Sequence, residues 1–362
     1  MGSVALAAAA LAAAGCTTGS SSSSSTTGSG SGSSAAAKPD TDFYQGKTIN
    51  FILPQAPGGV FSYSMVPATQ LAAKYLNAKI NVSYVSAGSG LVGDQQIYAA
   101  AADGLTIGDE SVGTMINNIL QGRDKGFPVD VQKLSYIGGV PQNPIALVTC
   151  KGSKYASMSL QDILAVKTPF KVITGTGTGY TFEKALFNLY GTPAQTLSGY
   201  PSTAEATAGC LRGDAPFAIQ SVASLTTDAL SQGLVHPVVI GLPVSQQSVF
   251  YPFFKDTPDL QSFFQQHPST APGAAQAMPA LVAQLGSTAI TQWVAGPPGI
   301  PQGRLLALQA AFKSALNDPS VIKNEVSNSV GFGWRNSNLA LPYIKDSLAA
   351  KDVLYGFINQ GA

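Results

Sequence analysis

Charge is what this sequence has least of. Only 11% of its 362 residues are Asp, Glu, Lys or Arg, and the formal net charge is +1. There is no basic face for a phosphate backbone and no acidic tail for a basic partner, which argues against nucleic acid as a partner. Histidine is scarcer still: His236 and His267 each precede proline and fit no metal-ligand spacing. No G-x-S-x-G elbow offers an acyl-transfer nucleophile. No stretch reaches the roughly eighteen continuous apolar residues that span a bilayer. Beyond residue 16 the only cysteines are Cys150 and Cys210. Composition leaves two arrangements open for them, a disulfide or two buried thiols.

What is present begins with "MGSVALAAAALAAAGC", a short apolar run ending in small residues and Cys16. It resembles a bacterial lipoprotein signal with "AAGC" as the lipobox, set against the plainer reading of an unstructured Ala-rich start. In the first reading residues 1–16 are the signal and Cys16 carries the lipid. The Ser/Thr/Gly tract that follows cannot bury apolar surface, so residues 17–42 are expected to be a flexible tether. The expected location is outside the cytoplasmic membrane, anchored by lipid to its outer face.

From Gly46 onward strands alternate with helices. "KTINFILP", "KINVSYV" and "LTIGDE" read as strands. "MVPATQLAAKYL" places Met65, Ala68, Leu71, Ala72 and Tyr75 on one helical face, and "GDQQIYAAAA" reads as a second helix. A second set runs from "PIALVTC" through "FKVITG", "TFEKALFNLYG", "TAEATAGCL" and "APFAIQ" to "HPVVIGL". Short strands separated by helices imply βαβ units, hence an α/β fold with mostly parallel sheets. Residues 251–290 mix aromatic, Pro and Gly signals without a clear period, and the tail predicts two amphipathic helices.

Three glycine turns stand out. "GSGLVG" has Gly88, Gly90 and Gly93 in the G-x-G-x-x-G pattern, between a strand and a helix, with Asp109 and Glu110 ending the next strand. That is the dinucleotide fingerprint in its proper setting, and it supports a dinucleotide-dependent enzyme as an alternative. "TGTGTGYT" lacks the Lys of a P-loop. It shares a design with "APGGVFSYS": a strand, a glycine turn, and hydroxyls (Ser62, Ser64, Thr176, Thr178, Thr181) at a helix start. No Lys or Arg lies between Lys47 and Lys74, or between Lys171 and Lys184. An anion in either loop would therefore be held by backbone N–H groups, hydroxyls and the positive helix end. "RGD" at Arg212–Asp214 sits between a helix and a strand and reads as a connection.

Two such loops in an exported α/β chain resemble the substrate-binding proteins of tripartite tricarboxylate transporters, the Bug family. "ILPQAPGGVFS", "GSGLVGDQQIYAAAADGLTIG", "LSYIGGV", "FKVITGTGTGYTFEKALFNLYG", "GYPSTAEATAGCLRGDAPFAIQS" and "QWVAGPPGIPQGRLLALQAAFKSALNDPSV" follow the family's order over about residues 43–350. The resemblance implies a two-domain, type II periplasmic-binding-protein-like clam-shell. Its domain 1 would be residues 43–144 plus 244–362 and its domain 2 residues 145–243, each a mostly parallel sheet flanked by helices. It implies a non-catalytic, monomeric receptor without cofactor or metal that captures a small carboxylate and delivers it to membrane permease subunits. A lipoprotein that senses the ligand for a signalling partner is the other non-enzyme alternative.

By position, the resemblance assigns the ligand carboxylate to Pro57, Gly58, Gly59, Val60, Phe61 and Ser62 in the first loop. In the second loop it assigns Gly175, Thr176, Gly177 and Thr178. Ser111, Tyr180, Gln220 and Ser221 are candidates around the rest of the ligand, and "GSGLVG" becomes a structural turn. Two departures stand out: family members commonly carry Asp where Ser62 stands, and an acidic residue where Gln220 stands. An uncharged pocket flanked by Phe61, Tyr63 and Tyr180 suits an aromatic or otherwise apolar acid better than an amino acid.

Overall fold

A computed structural model describes residues 37–55, 57, 60–110, 112–120, 128–141, 144–174, 178–200, 203–222, 225, 227–244, 246, 248–288, 292–327, 333–349 and 351–359. Cys16 and residues 17–36 of the expected tether lie outside these residues.

Strand β1 (Thr48–Leu53) points Ile49, Phe51 and Leu53 into the core, the period of two that a strand requires. Helix α1 (Val60–Tyr75) covers it with Met65, Ala68 and Ala72. Tyr75, expected on this buried face, is half exposed, and Leu76 is buried in its place. The next position four residues beyond Ala72 is Leu76, so the helical period favours it. β2 (Lys79–Tyr84) and α2 (Leu91–Tyr98) follow. α2 begins two residues earlier than expected and stops before the alanines at 99–102. Then come β3 (Thr106–Glu110), α3 (Val112–Leu120) and β4 (Ser135–Val140).

The chain passes to a second sheet between Val140 and Ile145. There it forms β5 (Ile145–Cys150), α4 (Leu160–Leu164), β6 (Phe170–Ile173), α5 (Thr178–Leu189), β7 (Ala194–Leu197), α6 (Thr203–Arg212), β8 (Phe217–Ser221), α7 (Thr227–Ser231) and β9 (Val235–Ile240). Three helices occupy the stretch that sequence pattern left unread: α8 (Tyr251–Phe254), α9 (Leu260–Gln266) and α10 (Ala274–Thr288). β10 (Gln292–Gly296) returns to the first sheet, followed by α11 (Gln302–Leu316), α12 (Pro319–Ser327), β11 (Arg335–Asn336), α13 (Ala340–Ala349) and α14 (Lys351–Ile358). The last predicted helix is thus two.

The strand orders are β11-β4-β10-β3-β1-β2 and β7-β6-β8-β5-β9. β1 pairs in parallel with β2 and β3, whereas β10 is antiparallel to both β3 and β4. In the second sheet β6 is parallel to β7 and β8, whereas β5 is antiparallel to β8 and β9. Most strands in each sheet therefore point one way, as βαβ units require. One reversed interior strand, β10 or β5, is laid among them by the part of the chain that crosses between sheets; β11 adds a second reversed strand at the edge of the first.

The largest core cluster is continuous across the two sheets. It contains Tyr136 and Trp293 of the first and Val172, Phe217 and Ile219 of the second. Tyr136 meets Trp293 edge to face at 5.4 Å, and Phe170 and Phe217 lie 5.0 Å apart. Each such buried ring contributes on the order of 2–3 kcal/mol of transfer free energy. A second cluster behind the first sheet is organised by Phe51 stacked on Phe312. A third, on the outer face of the second sheet, includes Cys150 and Cys210, which form a disulfide with Cα atoms 5.8 Å apart.

Candidate functional site

The first loop leaves β1 at Leu53 and enters α1 at Val60. Pro54 is buried, Gln55 half-buried and Pro57 exposed. Gly58 and Gly59 lie outside the described residues. The backbone places Val60 and Phe61 in the first turn of α1, with their side chains outside the description. Ser62 is buried, and its Oγ has no hydrogen-bond partner among the described residues. An orphaned hydroxyl in a first helical turn carries a desolvation cost of about 1–3 kcal/mol unless water or a ligand meets it.

The "GSGLVG" turn lies directly behind this loop. A Cβ on Gly93 would come within 2.8 Å of Pro54 Cβ and 3.0 Å of Val85 O, and one on Gly90 would strike the Pro54 carbonyl. Gly90 also has φ +94°, where side chains are strained. The glycines let the turn seat against the base of the first loop, so the space a pyrophosphate would need is filled by Pro54.

Three carboxyls line the same region: Asp94 in the first turn of α2, and Asp109 and Glu110 at the end of β3, all buried. Gln55 Nε2 donates to Asp109 Oδ2 at 3.5 Å. Burial holds the Asp109 and Glu110 carboxyls well above the usual range, and neighbouring Asp94 pushes both further up. An acid kept protonated adds no negative charge beside the helix start.

In the second loop β6 ends at Ile173 and α5 begins at Thr178. Gly175, Thr176 and Gly177 lie outside the described residues, as does Ser111 after β3. Thr174 is buried with Oγ1 unpartnered among the described residues, and a Cβ on Gly179 would sit 2.7 Å from it. Glycine there lets the first turn of α5 settle onto Thr174. Thr178 Oγ1 accepts from Asn117 Nδ2 at 2.8 Å. Asn117, on α3 beyond Ser111, also donates to Gly113 O and accepts from Thr181 Oγ1 (2.8 Å) and Gln284 Nε2 (3.1 Å). A single buried amide, with both donors and both lone pairs used, joins the helix after β3 to the helix after β6 and to α10.

Ser221, at the end of β8, has a buried Oγ without a partner among the described residues. Gln220 is buried and engaged by the Thr207 hydroxyl at 2.8–3.0 Å, so its amide is committed to α6. Tyr180 is half-buried against the main core, with Lys184 Nζ 5.7 Å from its ring.

Register places these groups along a common rim. Ser221 pairs with Ile145, the first residue after the crossover, while Trp293 bridges Glu110 and Gly139 just before it. The carboxyl ends of β1 and β3, and of β6 and β8, therefore all face the crossover, the position where open α/β sheets bind ligands. Thr174 and Asn117 escaped the sequence reading. Asn117 did leave a signal, as one of two successive amides, with Asn118, in a mostly apolar helix containing Val112, Met115 and Ile116.

Comparison with solved structures identifies the fold that carries this arrangement. A TctC solute-binding protein from Polaromonas superposes with a TM-score of 0.65 at 16% identity, covering 87% of this chain and 98% of its own. The fold is that of the TctC solute-binding proteins. MatC from Rhodopseudomonas palustris, with bound malate, gives a TM-score of 0.58 at 17% identity over 85% of this chain and 99% of its own. An R. palustris protein with adipate gives 0.58 at 13% identity over 86% and 97%. The TctC fold is thus matched over nearly the full length of those structures. Sequence comparison with protein-family models and with curated proteins finds no match. Among the described residues no helix is long and apolar enough to cross a membrane.

Proposed function

We propose that this chain is an extracytoplasmic solute-binding protein that captures a small carboxylate between its two glycine loops for a tripartite tricarboxylate transporter. The observation that carries this is the rim itself. Asn117 ties the start of α5 to α3, and three hydroxyls have no partner among the described residues: Ser62 in the first turn of α1, Thr174 just after β6 and Ser221 at the end of β8. No cation among the described residues of either loop competes with backbone donors, so the ligand is recognised as an anion by helix ends and hydroxyls. The malate and adipate in proteins of the same fold agree with a dicarboxylate.

In this reading Pro57, Gly58, Gly59, Val60, Phe61 and Ser62 hold one side of the carboxylate, and Gly175, Thr176, Gly177 and Thr178 the other. Ser111, Tyr180 and Ser221 border the distal end. Gln220 shapes the wall through Thr207 rather than reaching freely into the cleft. Residues 43–144 with 244–362, and residues 145–243, act as the two jaws of a monomer. Cys16 carries the lipid that keeps the receptor at the membrane beside its permease subunits.

Thermal-shift screening of the chain against malate, adipate, aromatic dicarboxylates and NAD tests this, because a ligand bound only by the folded state raises Tm by mass action. Thr178→Asp is the matched control: an acidic residue suits a helix start and can still accept from Asn117, but it repels an anion. An acid-dependent shift lost in Thr178→Asp is the expected result. A shift with NAD and none with any acid would reject the reading.

A further inference from the structure

The far end of the second sheet has the opposite chemistry from the glycine loops. A cavity of about 630 Å³ opens there, at the end of β5 and the starts of β6 and β8, so the whole length of β6 separates it from Thr174. In a chain with only 20 Lys and Arg, four of them, Lys151, Lys154, Lys171 and Arg212, line this one cavity. The single acid among them, Asp214, is already engaged: its Oδ2 accepts from Arg212 Nη2 and from Tyr200 Oη, both at 2.8 Å. Those bonds hold its carboxyl below the usual range. Lys151, Lys154 and Lys171 form no ion pair with any described residue.

The lining also has an apolar part: Tyr155, Phe170 and Cys210, all buried, with Lys154 Nζ 5.0 Å from the Tyr155 ring centre. Both walls are fixed by one covalent bond. Cys150 immediately precedes Lys151, and Cys210 lies two residues before Arg212, so the disulfide ties together the backbone that carries these two cations.

We propose that this cavity is a second binding site, selective for a small organic anion with two or more negative charges on a flat or apolar body. Its volume falls within the range of small-molecule sites. Ammonium groups that form no ion pair with a described residue, lining one cavity with aromatic rings, supply charge recognition and apolar contact together. The site shares no residue with the glycine loops, so it stands or falls separately from the carboxylate-receptor reading.

Isothermal titration of the full chain with benzene-1,3,5-tricarboxylate tests it. In Thr178→Asp, which closes the cleft to anions, binding should persist. In Lys151→Glu/Lys171→Glu, whose substituted side chains are exposed, affinity should fall about ten-fold or more, and raising salt from about 50 to 500 mM should weaken wild-type binding similarly. Cys150→Ser/Cys210→Ser should weaken it several-fold by releasing the walls. Absence of binding in Thr178→Asp, or binding that the double lysine reversal leaves unchanged, would overturn the proposal.

Discussion

The two glycine loops share a design, but what stands behind them differs. The first is backed by the buried Asp94 and by two carboxylic acids, Asp109 and Glu110, that burial holds toward the neutral form, in a sheet that no disulfide braces. The second is backed by hydroxyls and one saturated amide, in a sheet fastened to α6 by Cys150–Cys210. The contrast shows two ways to limit fixed charge beside a glycine loop. One suppresses ionisation, and the other uses groups that cannot ionise.

The largest test of that contrast is reduction of the disulfide. It closes a loop with a sequence separation of 60, for which chain entropy gives about 4 kcal/mol of stabilisation. Urea unfolding with and without reductant should show that loss, and amide exchange should speed up in β5 and β6 before β1 and β3. Uniform acceleration across both sheets would break the distinction between a braced and an unbraced half.

Next in size is Asn117→Ala. It removes the bonds that Thr178, Thr181 and Gln284 make to the buried amide and should cost about 2–4 kcal/mol. The carboxylate-induced thermal shift should shrink as well, because the start of α5 loses its link to α3. A loss of stability with an unchanged ligand response would make the amide a packing element only.

The smallest effect is titration. Glu183 in α5 is fully buried, and burial lifts its carboxyl to about 7 despite Lys184 and the Thr196 hydroxyl, which pull it down. The folded state then holds the proton more tightly than the unfolded chain. Stability from this group is fully present below the ordinary carboxylate range and is lost as pH rises through about 7. Glu183→Gln should therefore stabilise the protein by about 1–3 kcal/mol at pH 8 and leave it nearly unchanged at pH 4. Asp109 and Glu110 have the same sign. A curve that stays steep toward alkaline pH in Glu183→Gln would show the acids behind the first loop titrating.

Much of this was legible in the sequence because the signals are local. Strand, glycine turn and helix start follow one another within a dozen residues at both loops, and the βαβ alternation fixed the class of sheet. The reversed strands β5 and β10 were not legible, since their partners are chosen by pairing across the chain. α8, α9 and α10 were hidden by short length, aromatic runs and Pro279 inside a helix. What the glycines of "GSGLVG" pack against was not legible, since Pro54 meets Gly90 and Gly93 only across the fold. The basic cavity draws on four separate segments, and no window of sequence contains it.

The position of β10 also sets an order of events. All pairings of the second sheet lie within residues 145–240, whereas the first sheet joins Gly108 to Ala295 and cannot close β3 to β4 until that late strand is made. Contacts so distant along the chain are the slow ones. The strands of the second sheet can pair early while the first sheet waits open, with β3 and β4 both carrying unpaired edges. The vulnerable interval in the life of this protein therefore ends only when Trp293 slides in between them.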